Sequence, residues 1–244
     1  NIDKTYSVKR FVQPKETIQA LYYEEFCGGK GLNQSVALAR AGAEVYHAGA
    51  VGGDGRILLD MLKEAGADTG YVETLDGASG HAVIQIDESG QNNIIICGGT
   101  NRKITREYIS SVLEHFGKGD LILLQNEISN IDFAMEEAKK RGLQVAFNPS
   151  PADEGVFLCN LELVDYFILN EVEGRILAGT DSEEPAPILR ALREKYKNAA
   201  FVLTLGDQGA WYCDPEETSF QDIFRVEAVD TTAAGDTFCG YFIA

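Results

Sequence analysis

One acid, Asp236, stands in the run AVDTTAAGDTFCGYFIA (residues 228–244) among neighbours with very little side chain. Thr231, Thr232, Ala233, Ala234 and Gly235 precede it, and an apolar segment begins directly after Thr237. The run reads as a loop entering a helix. Side chains no larger than a methyl at Ala233, Ala234 and Gly235 leave backbone N–H groups open to an anion, and a helix N-terminus adds favourable potential for negative charge. A carboxylate is out of place beside such a nest unless it has a proton to remove. The pairing therefore points to a general base next to an anion hole. The plainer alternative is an Asp favoured near a helix start by the dipole alone.

A second glycine-rich site is CGGKGLNQSVALARAG (residues 27–42). It is not a P-loop, because Lys30 is followed by Gly31 rather than Ser or Thr, and it is not G-x-G-x-x-G. Gly28, Gly29 and Gly31 mark a close backbone approach, leading into a helix with Leu32, Val36 and Ala39 on its apolar side. Lys30 and Asn33 would project near whatever approaches. A glycine loop that merely caps a helix, with a solvated lysine, is the alternative.

Four apolar strands end in polar or glycine-rich residues: LILL before Gln125-Asn126-Glu127, VAF before Asn148-Pro149-Ser150-Pro151, YFIL before Asn170-Glu171-Val172-Glu173, and FVLTL before Gly206-Asp207-Gln208-Gly209. In open parallel sheets, ligands bind beyond the carboxyl ends of the strands. Any one of these ends could be an ordinary polar turn. Four together predict a shared ligand edge.

The elements that must hold these residues follow from periodicity. Residues 44–51 read as a strand, followed by a helix ending at Gly66. TREYISSVLEHFG carries Ile109, Val112, Leu113 and Phe116 at helical spacing. NIDFAMEEAKKRG has Asn130 as an N-cap and Gly142 as a stop signal. A further helix is predicted over about 186–197. Continuous apolar strands between helices predict a parallel sheet covered on both faces. Residues 4–26 and 80–97 break the rhythm. HAVIQIDESGQNNIIIC reads as a hairpin turning at Glu88–Gln91. Both stretches are expected to form a small β-sheet beside the main domain, in the position of a lid.

The 244 residues are 45% hydrophobic and 24% charged, ordinary values for a globular chain. A net charge of −17 repels phosphate backbones, which argues against nucleic acid as a partner. A nucleotide site would have to rely on local N–H groups and a metal ion. Cys27, Cys97, Cys159, Cys213 and Cys239 form no C-x-x-C pair, and their odd number fits reduced thiols in a cytoplasm. His47, His81 and His115 make no zinc spacing with them. No apolar run approaches the roughly 18 residues of a membrane span. A Rossmann oxidoreductase would need a G-x-G-x-x-G turn, and none is found.

GGKGLNQSVALARAGAEV, NPSP, NEVE, TLGDQG and VDTTAAGDTF, in this order and spacing, resemble the ribokinase family of PfkB-type carbohydrate kinases. The initial NID is similar to the end of that family's first sugar-binding motif. The likeness extends over essentially the whole chain. It implies a ribokinase-like three-layer α/β/α domain over residues 1–244, with a mostly parallel Rossmann-like sheet. A lid of about 4–27 and 80–99 is implied too, which in ribokinases also makes a homodimer contact. The sequence starts inside the first motif and stops soon after the last, so the first strand and a C-terminal part of the family's domain are expected to be missing.

The resemblance also implies ATP-dependent phosphorylation of a primary hydroxyl on a small sugar, ribose leading. Asp236 matches the catalytic base, and the backbone of Ala233, Ala234, Gly235 and Asp236 the anion hole. Asn1, Asp3, Gly29, Lys30 and Asn33 match residues that hold sugar hydroxyls, with Glu127 a further sugar contact. Asn170 and Glu173 match the pair that organises phosphates and, through water, Mg2+. Thr204, Gly206 and Gly209 match the nucleotide loop. Asp230 and the carbonyl of Thr232 match part of a K+ site. Lys4, Lys9, Arg10 and Lys15 make no basic cluster facing Asp3, which favours an uncharged acceptor over a phosphosugar. Deoxyribose, fructose or its phosphates, a sugar acid, a nucleoside, and a non-catalytic binding relative remain alternatives.

Overall fold

The computed structural model describes residues 1–227 and 231–244. In chain order the elements are β1 (Ile2–Ser7), β2 (Tyr22–Cys27), α1 (Lys30–Arg40), β3 (Tyr46–Val51), α2 (Arg56–Ala65), β4 (Asp68–Thr74), β5 (His81–Ile86) and β6 (Asn92–Cys97). A short 3-10 turn, Gly99–Lys103, leads on to α3 (Arg106–Leu113), β7 (Leu121–Gln125), α4 (Ile131–Arg141), β8 (Gln144–Asn148), β9 (Tyr166–Asn170), α5 (Glu171–Ala178) and α6 (Pro185–Lys195). Then come β10 (Ala200–Thr204), β11 (Ala210–Cys213), β12 (Thr218–Gln221) and α7 (Ala234–Ile243). The chain divides into two compact units: Asn1–Ile104 with Asp236–Ala244, and Thr105–Gly235.

The first unit contains a four-stranded sheet in the order β2-β1-β5-β6 and a separate parallel pair, β3 with β4. β5 and β6 form the expected hairpin, in register from His81↔Cys97 to Ile86↔Asn92. Asp87 closes its turn: Oδ1 accepts from the amides of Ser89 and Gln91 and from the Ser89 hydroxyl. An Asx turn of this kind fixes a hairpin without a glycine pair. Ile2, Leu32, Val36, Val51, Leu58, Leu62 and Ala67 form the apolar cluster under α1 and α2.

The second unit is built on a six-stranded sheet in the order β12-β11-β10-β9-β8-β7. β7 through β10 run parallel, and β11 and β12 add antiparallel at one edge. Phe147, Phe167 and Phe201 sit side by side on the central strands and are fully buried. Phe167 and Phe201 stack with ring centroids 5.4 Å apart. Strands so apolar need cover on both faces, and α4, α5 and α6 pack against β8, β9 and β10.

Four elements escape sequence patterning, the helix α5 among them. The other three are strands: β4 has seven residues of mixed polarity, β11 and β12 have four each, and every residue of β12 is exposed. One predicted helix shifts slightly at its ends, and one predicted cap lacks its side-chain bond. The helix predicted over about 186–197 runs Pro185–Lys195, with Pro at its first turn. Asn130 does precede α4, but its φ of 60° is left-handed and its side chain does not cap the helix. Gly66 and Gly142 end α2 and α4 in left-handed conformations, as their sequence positions suggest. Among the described residues, no helix is long and apolar enough to cross a membrane.

His47 on β3 gives the first unit a pH dependence. Its Nδ1 shares a hydrogen bond with the Ser35 hydroxyl at 2.8 Å. The residue keeps partial exposure, but its ring is enclosed, and burial lowers it to about 4. An exposed imidazole titrates near roughly 6.5. The folded state therefore holds His47 neutral, while the unfolded chain binds more protons between those two values. Stability falls as pH drops through that window and the loss is complete below about 4. The size is at most about 3 kcal/mol. In urea unfolding from neutral pH down to this range, the native midpoint should fall more steeply than that of His47→Gln. Parallel curves would show that the ring does not titrate with folding.

Candidate active site

In the first unit, the glycine turn predicted from sequence meets the start of β1. A Cβ on Gly28 would lie 2.0 Å from Asp3 Oδ2, and one on Gly29 would lie 2.8 Å from the Asn1 nitrogen. Gly29 also has φ +88°, a conformation that glycine adopts without strain. The turn is thus bare because the Asn1 and Asp3 side of β1 presses on it. Register supports this: Ile2 pairs with Cys27 and Asp3 with Phe26. The Asn1 nitrogen donates to the Gly28 carbonyl at 2.8 Å, and Gly28 N–H returns a bond to the Asn1 carbonyl at 2.9 Å. Burial raises Asp3 above the ordinary carboxylate range. Lys30 and Asn33 lie on the first turn of α1, which the glycines open. Cys27, just before them, sits with its Sγ 3.5 Å from the Ile57 carbonyl. Burial pushes its thiol up, away from the reactive thiolate.

Asp236 lies in the first turn of α7 and is 8% exposed. Asn33 Nδ2 donates to its Oδ2 at 2.9 Å, and Gln34 Nε2 donates to its Oδ1 at 3.0 Å. Residues 203 positions apart in sequence are therefore in direct contact, and the glycine turn and the acid share one site. An ionised carboxylate offers about four acceptor positions. Two are taken by these amides. Ala233 precedes the helix with φ 56°, left-handed for a residue that bears a Cβ, a conformation that costs about 1–2 kcal/mol. The Ala234 amide of the expected nest is turned to the Thr231 carbonyl at 3.2 Å. The amides of Gly235 and Asp236 fall in the first turn of α7, where no carbonyl of the same helix stands four residues back.

The second unit carries the other predicted residues on the carboxyl ends of its parallel strands. Gln125 pairs with Asn148, and Asn170 pairs with Thr204, at the last positions of β7 to β10. Asn170 and Glu173 form a reciprocal capping box on α5: Glu173 N–H donates to Asn170 Oδ1 at 2.9 Å, and Asn170 N–H donates to Glu173 Oε2 at 3.0 Å. Glu173 is buried, and Asn148 Nδ2 reaches the same Oε2 at 3.4 Å while donating to the Ile168 carbonyl at 2.9 Å. Thr204 Oγ1 donates to the Leu169 carbonyl. Beyond it, Gly206 and Gly209 both take positive φ, and the loop is closed by Leu205 N–H on the Gly209 carbonyl. Glu127 lies two residues past β7 and is half-buried. Asn126, beside it, fastens the NPSP loop by donating to the Pro151 carbonyl and to Asp153 Oδ1. Of the expected cation pair, Thr232 is exposed and Asp230 lies outside the described residues.

Three residues of these sites were not legible in advance. Gln34 follows Asn33 in the GGKGLNQ run and, taken in its own segment, is one more polar helix position. Asn101 donates from Nδ2 to Asn1 Oδ1 at 2.8 Å, and lies in a 3-10 turn with no pattern of its own. Gly240 lies inside α7 with no turn or cap to explain it. A Cβ there would stand 2.4 Å from Ala37 Cβ and 2.9 Å from the Gln34 carbonyl. Small size at that point is what lets α7 lie against α1.

Among the described residues, no three of His, Cys, Asp and Glu cluster as a metal cage. Mg2+ at nucleotide sites is usually held through water and phosphate oxygens with one or two carboxylates. Glu173, with Asn170 beside it, could carry such a water shell.

The family model for pfkB family carbohydrate kinases matches residues 1–244. The chain is 32% identical to the ribokinase of Haemophilus influenzae over 252 residues, covering 100% of this chain and 81% of that protein. It is 34% identical to the deoxyribokinase of Salmonella typhi, covering 93% and 76%. Its fold superimposes on that of the Arabidopsis thaliana ribokinase complexed with ribose and ATP with a TM-score of 0.84, at 28% identity, covering 100% of this chain and 82% of that one. The chain belongs to the pfkB family of carbohydrate kinases. It is a sugar kinase of the ribokinase type, with the ribokinase-like α/β fold and its separate small sheet.

Proposed function

We propose that the chain phosphorylates the primary hydroxyl of ribose with ATP, giving ribose 5-phosphate and ADP. One observation carries the reading: a buried carboxylate, Asp236, at the start of a helix is bonded to successive residues of the helix that the glycine turn opens. In the reaction the hydroxyl O–H bond breaks and its oxygen bonds the γ-phosphorus. The bond to the β-phosphate oxygen breaks, and ADP leaves. Asp236 takes the hydroxyl proton as the new bond forms. The backbone amides of Gly235 and Asp236, at the positive end of α7, stabilise the charge on the transferring group. Such transfer needs alignment and charge stabilisation far more than covalent help.

Asn1, Asp3, Gly29, Lys30, Asn33 and Glu127 hold the sugar in this reading. Short polar side chains and bare backbone suit a compact ligand rich in hydroxyls. Thr204, Gly206 and Gly209 cradle the nucleotide, and Asn170 and Glu173 order the phosphates and the water around Mg2+. When bound, Mg2+ supplies positive charge against the phosphates. The β2-β1-β5-β6 sheet acts as a lid that excludes water, the competing acceptor. Deoxyribose is the second reading, favoured by the 34% identity to a deoxyribokinase.

A coupled ADP-release assay over a panel of pentoses and hexoses tests this. Ribose should give the highest kcat/KM, and Asp236→Asn should lower kcat by at least about a hundredfold with sugar binding retained. A near-normal rate for Asp236→Asn would remove the base assignment. Preference for deoxyribose would move the substrate to the second reading.

Two finer readings go with the family pattern. K+ binds at Asp230 and the Thr232 carbonyl, and replacing it by Na+ should lower the rate. The lid sheet makes a homodimer through β6, whose Ile94, Ile95 and Ile96 are 52%, 65% and 58% exposed. Light scattering should report twice the chain mass, and a monomer would exclude that contact.

A further inference from the structure

We infer that Gln34 is a positioning residue for the acceptor-activating carboxylate, fixing the rotation of Asp236 through a buried amide while taking no part in holding the sugar. The inference rests on the reading of Asp236 as the base. Gln34 is 1% exposed in the middle of α1. An amide that deep is costly unless its hydrogen bonds are made. Its Nε2 donates to Asp236 Oδ1 at 3.0 Å, and the neighbouring Asn33 donates to Oδ2 at 2.9 Å. One donor leaves a carboxyl group free to turn about its last side-chain bond. Two donors, on separate oxygens and from successive helix positions, fix the plane. The two amides differ in exposure: Asn33 keeps partial exposure on the first turn after the glycines, and Gln34 does not.

The backbone makes the same contact. Gly240 is one helical turn after Asp236, on the same face of α7. A Cβ there would come 2.4 Å from Ala37 Cβ and 2.9 Å from both the Gln34 carbonyl and the Leu38 nitrogen. α7 is therefore seated on the Gln34–Leu38 segment of α1. The glycine sets how far Asp236 stands from α1, and the Gln34 amide sets which way its oxygens face.

The test is Gln34→Met, which keeps length and volume and removes the donor. With rates expressed per folded molecule, kcat should fall about tenfold or more, the worth of a hydrogen bond to a charged group. The Michaelis constants for sugar and ATP should stay within about twofold. In an Asp236→Ala background the same substitution should change the residual rate by less than about twofold, because the group it acts through is gone. Gln34→Glu serves as the second variant if the first does not fold. It keeps the shape but sets a second carboxyl group beside Asp236, and should lower kcat at least about tenfold relative to the unsubstituted protein.

Unchanged kcat in Gln34→Met overturns the inference, and so do equal losses in both backgrounds, which mark simple packing. A raised sugar KM with kcat intact would make Gln34 a sugar contact and overturn it as well. If Asp236→Ala alone retains a near-normal rate, the base reading fails and takes this inference with it. If Asp236→Ala is inactive while Gln34→Met is normal, only the role of Gln34 falls.

Discussion

A carboxylate placed in a protein interior needs hydrogen-bond donors to offset the hydration it loses. Asp236 is given two, from adjacent residues of α1. That contact organises much of the first unit. It requires α7 to lie against α1, hence a glycine at 240 whose missing Cβ leaves room for Ala37 and the Gln34 backbone. It requires α1 to begin where it does, hence the turn at Gly28 and Gly29 under Asn1 and Asp3. The glycines usually read as ligand-binding features are, in part, the clearances that let one acid reach its donors.

The second unit meets a different demand with different means. Its parallel strands bring Gln125, Asn148, Asn170 and Thr204 to one edge by register alone. Glu173 is then held by the capping box with Asn170 and by Asn148. The box satisfies two helix-end donors and also places a buried carboxylate at the start of α5. Net charge of −17 makes such local arrangement necessary for any phosphate ligand. Backbone dipoles and a bridging ion must do what the overall field opposes.

The sequence carried the apolar strands, the helix stops at Gly66 and Gly142, and the hairpin, because each has a local cause: burial on both faces, a left-handed C-terminal residue, a tight polar turn. It also carried Asp236, Gly29 and Asn33 as residue types suited to chemistry. It did not carry Asn33 and Asp236 as partners, because nothing local links positions 203 apart. Gln34, Asn101 and Gly240 were invisible for the same reason: each is ordinary in its own segment and acquires its meaning from another. Asn130 shows the converse. A residue favoured as a cap sits at the right place, but with φ 60° its side chain does not cap the helix.

The most direct measurement is a crystal structure of the protein with ribose and a non-hydrolysable ATP analogue. A primary hydroxyl oxygen within about 3 Å of an Asp236 carboxylate oxygen, with the Asn33 and Gln34 bonds intact, is the expected result. A sugar bound with its primary hydroxyl turned away from Asp236, or with both carboxylate oxygens closed to it by protein groups, would contradict the central claim.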